Sequence, residues 1–238
     1  MCKITAVIPA RFGSKRVRNK NFRPFWGKSL VDWTIETAVQ ANIFDQIILS
    51  SDFIGAEKNA KRYGIQFELR CPELSNDQSA SIDVIDSLAS QRKLSSRFAA
   101  LLQPTSPLRT ATQVREAYEQ FTSIDSPTKS LVSVFDTSDQ YRKSLIKIGD
   151  FVTCASGLGL AHGEYSQAQK IFAQNGAIYI VEVEEAIRQR SFIYANCLPF
   201  QMDAISSIDI DNWDDFKLAE ILMKERVSQS SGAEDLNI

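Results

Sequence analysis

Short apolar runs alternate with stretches of helical periodicity along most of the chain. Ile4–Ile8 reads as a buried strand, and the apolar side chains of residues 29–41 recur at helical spacing. The same criteria predict strands at 46–50, 65–69, 98–102 and 131–135, and helices at 55–63, 81–90, 111–121 and 213–226. This alternation predicts an α/β, Rossmann-like fold whose mostly parallel sheet carries helices on both faces.

The alternation breaks between Asp136 and Ala173. There "IKIGDFV" predicts a hairpin that turns at Gly149-Asp150, and the glycine-rich "SGLGLAHGEYSQAQ" follows it. The apolar "NGAIYIVEV" then restores a strand. We therefore predict a single domain over residues 1–226, with an inserted arm at about 136–173 and a flexible polar tail at 227–238.

Composition limits the classes of function. Of 238 residues, 44% are hydrophobic and 24% charged, and the net charge of −2 argues against a nucleic acid partner. No run of eighteen apolar residues occurs, so no membrane partner is predicted. The four cysteines are scattered without a C-x-x-C pair, which predicts neither a disulfide framework nor a zinc site and favours a cytoplasmic location.

The first strand ends in a basic loop, "IPARFGSKRVRNKN". Eight lysines and arginines precede the first acidic residue, Asp32. Gly13 permits close backbone approach to an anion, and Arg11, Lys15 and Lys20 can neutralise a triphosphate. The loop lacks the G-x-x-x-x-G-K-[ST] and G-x-G-x-x-G patterns, which disfavours a P-loop ATPase and a dinucleotide oxidoreductase. The alternative is a solvated basic loop.

Two further motifs carry candidate chemistry. In "SIDIDNWDDF", Asp209 and Asp211 alternate with isoleucines, so an extended segment presents both carboxylates on one face, as Mg²⁺ shared with substrate phosphates requires. The alternative is that Asp211 or Asn212 caps the last helix. In "LLQPTSPLR", Gln103 and Thr105 can hydrogen-bond a polyhydroxylated ligand, whereas the alternative for Ser106 and Arg109 is a capping role.

Seven segments, in order over residues 4–220, resemble the acylneuraminate cytidylyltransferases, or CMP-sialic acid synthetases. They are the basic loop and the "SIDIDNWDDF" segment together with "GKSLVDWTIETA", "FDQIILSSD", "RCPELSNDQSASIDVI", "LLQPTSPLR" and "NGAIYI". The resemblance implies a homodimeric nucleotidyltransferase that joins CTP to a nonulosonic acid, releases pyrophosphate and uses Mg²⁺ or Mn²⁺. It also implies that the irregular insert is a dimerisation arm.

The resemblance assigns site residues by position. It implies Arg11, Ser14, Lys15, Lys20, Asn21, Arg70 and Ser81 for the nucleotide, Gln103, Lys143 and Phe192 for the sugar, and Asp209 and Asp211 for the metal. Of these, Arg11, Lys20 and Asp211 are the expected catalytic residues. Phe192 falls where the partner subunit reaches the sugar pocket in the family. No side chain is assigned as general base, since His162 lies in the irregular arm and metal-bound hydroxide is an equal candidate.

One departure leaves the acceptor open. Sialic acid members carry arginines before the "NGAIYI" strand, whereas "GEYSQAQKIFAQ" has Lys170 as its only cation. Legionaminic and pseudaminic acids therefore compete with sialic acid as the expected acceptor. Two further functions stay open as well. One is a cytidylyltransferase for another 3-deoxy-2-keto sugar acid, such as an octulosonate, and the second is a degenerate paralogue that binds CTP or sugar without turnover.

Overall fold

The computed structural model of the protein describes residues 3–74, 80–125, 129–137, 144–148, 151–154 and 170–234. The strands are β1 (Ile4–Pro9), β2 (Pro24–Phe25), β3 (Lys28–Ser29), β4 (Gln46–Ser51), β5 (Gln66–Leu69), β6 (Phe98–Leu101), β7 (Ser130–Asp136), β8 (Leu145–Ile148), β9 (Phe151–Cys154), β10 (Phe172–Glu182) and β11 (Cys197–Gln201). The helices are α1 (Leu30–Ala41), α2 (Glu57–Tyr63), α3 (Ser81–Ser90), α4 (Ala111–Ser123), α5 (Val183–Gln189) and α6 (Trp213–Glu234).

Seven strands form one sheet in the order β11-β7-β10-β6-β1-β4-β5. β1 pairs in parallel with β4 and β6, β4 with β5, and β7 with β11. Only β10 runs antiparallel to its neighbours β6 and β7 within this sheet. The predicted α/β class with a mostly parallel sheet is therefore confirmed.

Helices cover both faces of this sheet. The alternation of β1 places Ile4, Ala6 and Ile8 in one apolar cluster with α1, α2 and α4. Val7 points to the other face and joins the cluster built on α3 and α5. A third cluster packs Phe216 and Met223 of α6 beside the start of α1. Ile208 and Ile210 of "SIDID" belong to this cluster, which packs the segment against α6.

Local capping explains where the principal helices begin. Ser29 accepts a hydrogen bond from the amide of Asp32, whose carboxylate accepts one from the amide of Ser29, and this capping box starts α1. Thr110 and Gln113 form the same arrangement at α4. The capping interpretation of Ser106 and Arg109 is therefore wrong, because Thr110 performs that role.

Some elements differ from the sequence-based expectation. α5 and β11 were not predicted, because "VEEAIRQ" is short and charged and "CLPFQ" contains a proline that only an edge strand tolerates. α6 continues to Glu234 rather than ending at Arg226. The predicted hairpin is present as the antiparallel pair β8–β9, while Gly149 and Asp150 lie outside the described residues. Within the described part of the chain, no helix is long and apolar enough to cross a membrane.

Candidate active site

A cleft of about 520 Å³ opens beyond the carboxyl ends of β1, β5 and β6. In parallel α/β sheets, ligands bind at this edge. The predicted site residues that line this cleft are Arg11, Ser14, Lys15, Lys20, Asn21, Arg70, Ser81, Gln103, Asp209 and Asp211. The basic loop and the acidic segment, which are distant in sequence, therefore share one cavity.

The basic loop is anchored at both ends. Its Phe12 amide donates to the carboxylate of Asp52 at 2.8 Å, and the Phe12 ring stacks on Phe53 with centroids 4.3 Å apart. At the other end, Asn21 Nδ2 donates to the carbonyl of Arg11 at 2.9 Å. The Phe12 contacts hold the start of the loop beside the end of β4, and the Asn21 bond ties the end of the loop to its start. Between these anchors, Ser14, Lys15, Arg16 and Val17 line the cleft, whereas Arg18 is exposed and is not among the residues that line it.

Lys20 lies in the floor of the cleft with only 9% of its surface exposed. The preceding Asn19 adopts a left-handed backbone (φ +56°), which turns the chain inward at this point. The Lys20 ammonium donates to the carbonyl oxygen of Ile210 and lies 3.8 Å from Asp211 Oδ1. Burial lowers the pKa of Lys20, and the carboxylates of Asp209 and Asp211 partly oppose this shift.

Asp209 projects into the cleft from an extended segment tied to the loop after β6. The amide of Ile210 donates to the carbonyl of Thr105 at 2.8 Å, and Thr105 hydrogen-bonds the Asp209 carboxylate. Although Asp209 reaches solvent in the cleft, burial by the surrounding protein raises its pKa, and nearby Lys20 acts in the opposite direction. Thr105 therefore positions a carboxylate rather than only stiffening a turn.

The helix cap and the acidic site use different residues. Asn212 Oδ1 accepts from the amides of Asp214 and Asp215 at 2.8 and 3.0 Å, which identifies Asn212 as the cap of α6. Asp215 in turn accepts from the amide of Asp211 at 2.9 Å. The Asp211 carboxylate is therefore available to the cleft, where it lies 3.1 Å from Arg16 Nη1.

A buried polar network supports the acidic segment from below. Asn175 is 3% exposed, and its Nδ2 donates to Ser207 Oγ at 2.8 Å. Its Oδ1 accepts from Ser133 Oγ on β7 at 2.5 Å and from the Ala177 amide at 3.1 Å. Because Ser207 lies two residues before Asp209, this network fixes the position of the Asp209 carboxylate in the cleft.

Gly176 and Arg109 hold Gln103 in place. Gly176 has φ +74°, and a Cβ there would lie 2.7 Å from Gln103 Oε1, so glycine is needed both for the bulge in β10 and for the close approach. Arg109 donates to the carbonyls of Ala177 at 2.6 Å and of Gln103 at 3.2 Å. Burial lowers the pKa of Arg109 to about 9, so the guanidinium remains charged at neutral pH.

Arg70 and Ser81 border the opposite wall of the cleft. Arg70 Nη2 donates to the carbonyl of Ser50 at 2.8 Å, and its own amide donates to the carbonyl of Ser51 at 2.7 Å. Burial lowers the pKa of Arg70, and Asp52 opposes that shift. Ser81 is the first residue of α3, whose amino end therefore faces the cavity.

Phe192 lies in a second cleft of about 320 Å³ that shares Ser81 and Gln103 with the first. Its ring lies 5.1 Å from that of Tyr179 on β10. Burial raises the pKa of Tyr179, and Asp209 adds to the rise. Phe192 thus borders the cavity of its own chain. Lys143 and His162 fall outside the described residues.

Several site residues were not recognised in the sequence. Arg16 belongs to the same run of cations as Lys15 and Lys20 in the basic loop. Tyr179 lies in "NGAIYI", one of the seven segments that resemble the acylneuraminate cytidylyltransferases. Asn175 and Arg109 act through buried contacts that no local pattern marks. For these two residues the signal is only a polar side chain beside an otherwise apolar strand or turn.

Comparison with known proteins identifies the family to which this site belongs. A family model described as "Cytidylyltransferase" matches residues 5–152. The chain belongs to the cytidylyltransferase family. A 228-residue alignment gives 34% identity to the N-acylneuraminate cytidylyltransferase of Escherichia coli O18:K1:H7 (strain RS218 / NMEC), covering 95% of this chain. The chain spans about half (54%) of that relative's length.

Another cytidylyltransferase relative matches over almost its whole length. The CMP-N,N'-diacetyllegionaminic acid synthase of Legionella pneumophila is 36% identical over 230 residues, which cover 93% of this chain and 97% of that protein. Among solved structures, the CTP complex of CMP:2-keto-3-deoxy-manno-octonic acid synthetase has a TM-score of 0.71 at 15% identity. The match covers 94% of this chain and 99% of that structure, so the two share the fold.

Proposed function

We propose that the chain is a CTP-dependent cytidylyltransferase that attaches CMP to a nonulosonic (sialic-type) acid and releases pyrophosphate. The observation that carries this proposal is the single cleft in which Lys20 faces Asp209 and Asp211. Family membership and the two relatives named for sugar-acid substrates support the reaction class. Cys197 is a free thiol, which is compatible with the cytoplasm, where we place the reaction.

Nucleotidyl transfer requires that the two substrates be aligned and that the phosphate charge be neutralised, more than that a protein group bond covalently to a substrate. The anomeric hydroxyl of the acceptor attacks the α-phosphorus of CTP, and pyrophosphate leaves from the opposite side. Arg11, Lys15 and Lys20 supply positive charge at the triphosphate end of the cleft. Asn21 Oδ1, a buried acceptor without a hydrogen-bond partner among the described residues, suits a ribose hydroxyl rather than a phosphate oxygen.

The acidic segment suits a divalent cation held jointly with the nucleotide. Across the described residues, no group of three or more His, Cys, Asp or Glu side chains could hold a metal ion. Two carboxylates, Asp209 and Asp211, do line the cleft, and Mg²⁺ is typically bound by one or two carboxylates plus substrate phosphates. We therefore propose Mg²⁺ or Mn²⁺ as cofactor, which when bound neutralises phosphate charge.

The second cleft is the candidate acceptor site. Gln103 lies where the two clefts meet, as a residue that contacts both substrates should. Tyr179, Phe192 and Ile82 give the second cleft an apolar wall, which suits acyl or deoxy substituents rather than additional hydroxyls. Because the legionaminic acid synthase matches over 97% of its length, diacetylated legionaminic acid is the acceptor that we test first.

We also propose that the protein is a homodimer in which the arm contacts a second copy. β8 and β9 form a sheet of their own, separate from the main sheet. A lone two-stranded hairpin is marginally stable in water. Its side chains Leu145, Ile146, Phe151 and Val152 are 50–81% exposed. A second copy of the chain would bury this apolar surface.

The test is product formation from a mixture of acceptors. The purified protein is incubated with CTP, Mg²⁺ and a panel of sialic, legionaminic, pseudaminic and 3-deoxy-octulosonic acids, and CMP-sugars are detected by mass spectrometry together with pyrophosphate. A CMP-nonulosonate is the expected product. CMP-octulosonate alone would replace the proposed acceptor class, and CTP binding by calorimetry without any product would indicate a degenerate paralogue.

A further inference from the structure

Arg16 and Asp211 form an ion pair across the mouth of the cleft. Arg16 Nη1 lies 3.1 Å from Asp211 Oδ2, while Asp211 Oδ1 faces the Lys20 ammonium at 3.8 Å. Both oxygens of a candidate metal-binding carboxylate are therefore paired with protein cations. A divalent ion approaching Asp211 has to compete with these cations for the same oxygens.

The two cations differ in how easily they can be displaced. Lys20 is buried and donates to the Ile210 carbonyl, so its position is fixed by the fold. The Arg16 side chain is 69% exposed and that of Asp211 51% exposed, and an ion pair of this exposure stabilises a protein only weakly. Arg16 also lies between the loop anchors at Phe12 and Asn21. It is therefore the exchangeable partner.

We propose that Arg16 exchanges Asp211 for a phosphate oxygen of the nucleotide, and so couples nucleotide binding to metal binding at the same carboxylate. This inference rests on the proposed function. A triphosphate offers the guanidinium a stronger, bidentate partner than a single exposed carboxylate. As Arg16 turns to the phosphates, Asp211 Oδ2 becomes available to the divalent ion. By linkage, metal binding strengthens nucleotide binding by the same factor.

The matched control is Arg18, which is exposed in the same loop and carries the same charge, with no ion pair to Asp211 found among the described residues. Arg16→Gln and Arg18→Gln change net charge equally. Mn²⁺ binding is measured by electron paramagnetic resonance with and without CTP. CTP binding is measured by calorimetry with EDTA present, so that this second readout involves no metal.

Without CTP, Arg16→Gln should bind Mn²⁺ about two- to fivefold more tightly than wild type, the effect of one exposed ion pair. In EDTA it should bind CTP about ten- to a hundredfold more weakly, the effect of one charge-assisted contact. The factor by which CTP increases Mn²⁺ affinity should fall accordingly, while Arg18→Gln should match wild type throughout.

Three results would overturn the inference. The first is that wild type and Arg16→Gln bind Mn²⁺ equally well without CTP, although both still bind Mn²⁺ when CTP is present. Arg16 would then not compete with the metal for Asp211, while the proposed function would stand. An Arg18→Gln variant that behaves like Arg16→Gln would show a general charge effect instead. A wild-type protein that binds neither CTP nor Mn²⁺ in any combination would contradict the proposed function itself, and with it the inference.

Discussion

The Lys20 ammonium lies 3.8 Å from the Asp211 carboxylate, although one residue follows the first strand and the other precedes the last helix. Lys20 also donates to the carbonyl of Ile210, so the fold fixes this approach independently of any ligand. Burying a cation carries a desolvation penalty that neighbouring carboxylates repay only in part, so such an arrangement is better explained by ligand binding than by stability. Substitutions at Lys20 and at the aspartates should therefore affect ligand binding and turnover more than folding.

Replacing Lys20 tests its proposed role at the triphosphate. Lys20→Met keeps most of the side-chain volume and removes the charge, so we expect kcat to fall about 10²–10³-fold, as when one preorganised electrostatic contact is lost. The measurement is steady-state pyrophosphate release, with circular dichroism to verify folding. Lys61→Met is the control, because Lys61 pairs with Glu57 on the surface of α2, away from the cleft. Wild-type turnover in Lys20→Met would contradict the assignment.

Asp211 and Asp214 provide a matched pair within one segment. Asp211 lines the cleft, whereas Asp214 is exposed in the first turn of α6. Asp211→Asn should lower turnover about a hundredfold or more and weaken Mn²⁺ binding in the presence of CTP, because a metal ligand and its charge are lost. Asp214→Asn should alter neither. If Asp211→Asn bound Mn²⁺ as wild type does, the metal would have to be assigned to other residues.

Much of this site could be predicted because its chemistry is carried by local motifs. The basic loop after β1 and the alternating aspartates each have a recognisable pattern, and the βα alternation places the loop at the edge of the sheet where ligands bind. From the sequence, Asp211 could be either a cap or a cleft residue. The structure decides between the two because Asn212, one residue later, caps the helix.

The supporting contacts could not be predicted, because they depend on which strands become neighbours. Asn175 can hydrogen-bond Ser133 and Ser207 because β10 lies antiparallel beside β7. No periodicity in the chain encodes that strand pairing. The local sequence around Arg109 is equally compatible with a capping role, and only its carbonyl partners on β10 and on the loop after β6 exclude that role. Tertiary pairing therefore determines the residues that position the site, while local pattern identifies those that line it.

Gly176→Ala tests whether the bulge in β10 positions Gln103. The new Cβ would lie 2.7 Å from Gln103 Oε1 in a backbone with φ +74°. Gly64→Ala is the control, because Gly64 has φ +68° but open space around its Cβ. Each should lose about 1 kcal/mol of unfolding free energy from the left-handed backbone. Only Gly176→Ala should also raise the acceptor KM, by displacing Gln103. Equal KM values in both variants would argue against this role for Gln103.

The pH dependence of metal binding should report on Asp209. Burial raises its pKa, so the carboxyl becomes protonated at a higher pH than an ordinary aspartate, and Mn²⁺ affinity should decline as pH falls through that value. Because Lys20 lowers the pKa of Asp209, Lys20→Met should raise still further the pH at which Mn²⁺ affinity begins to decline, the acid limb of the pH profile. Mn²⁺ titrations by electron paramagnetic resonance, with CTP present and at a series of pH values, measure the acid limb of wild type and that of Lys20→Met. An acid limb that stayed in place or moved to lower pH would refute the coupling.

Substitution in the arm tests the proposed homodimer. Phe151 is 81% exposed and pairs with Ile148 across the β8–β9 hairpin. If a second copy covers this hairpin, Phe151→Ser should shift the protein toward monomer in size-exclusion chromatography with light scattering. Ile54→Ser is the control, since Ile54 is 61% exposed but lies in a short turn of helix before α2. A dimer that tolerates both substitutions equally would place the interface elsewhere, because losing a buried aromatic side chain at an interface weakens association measurably.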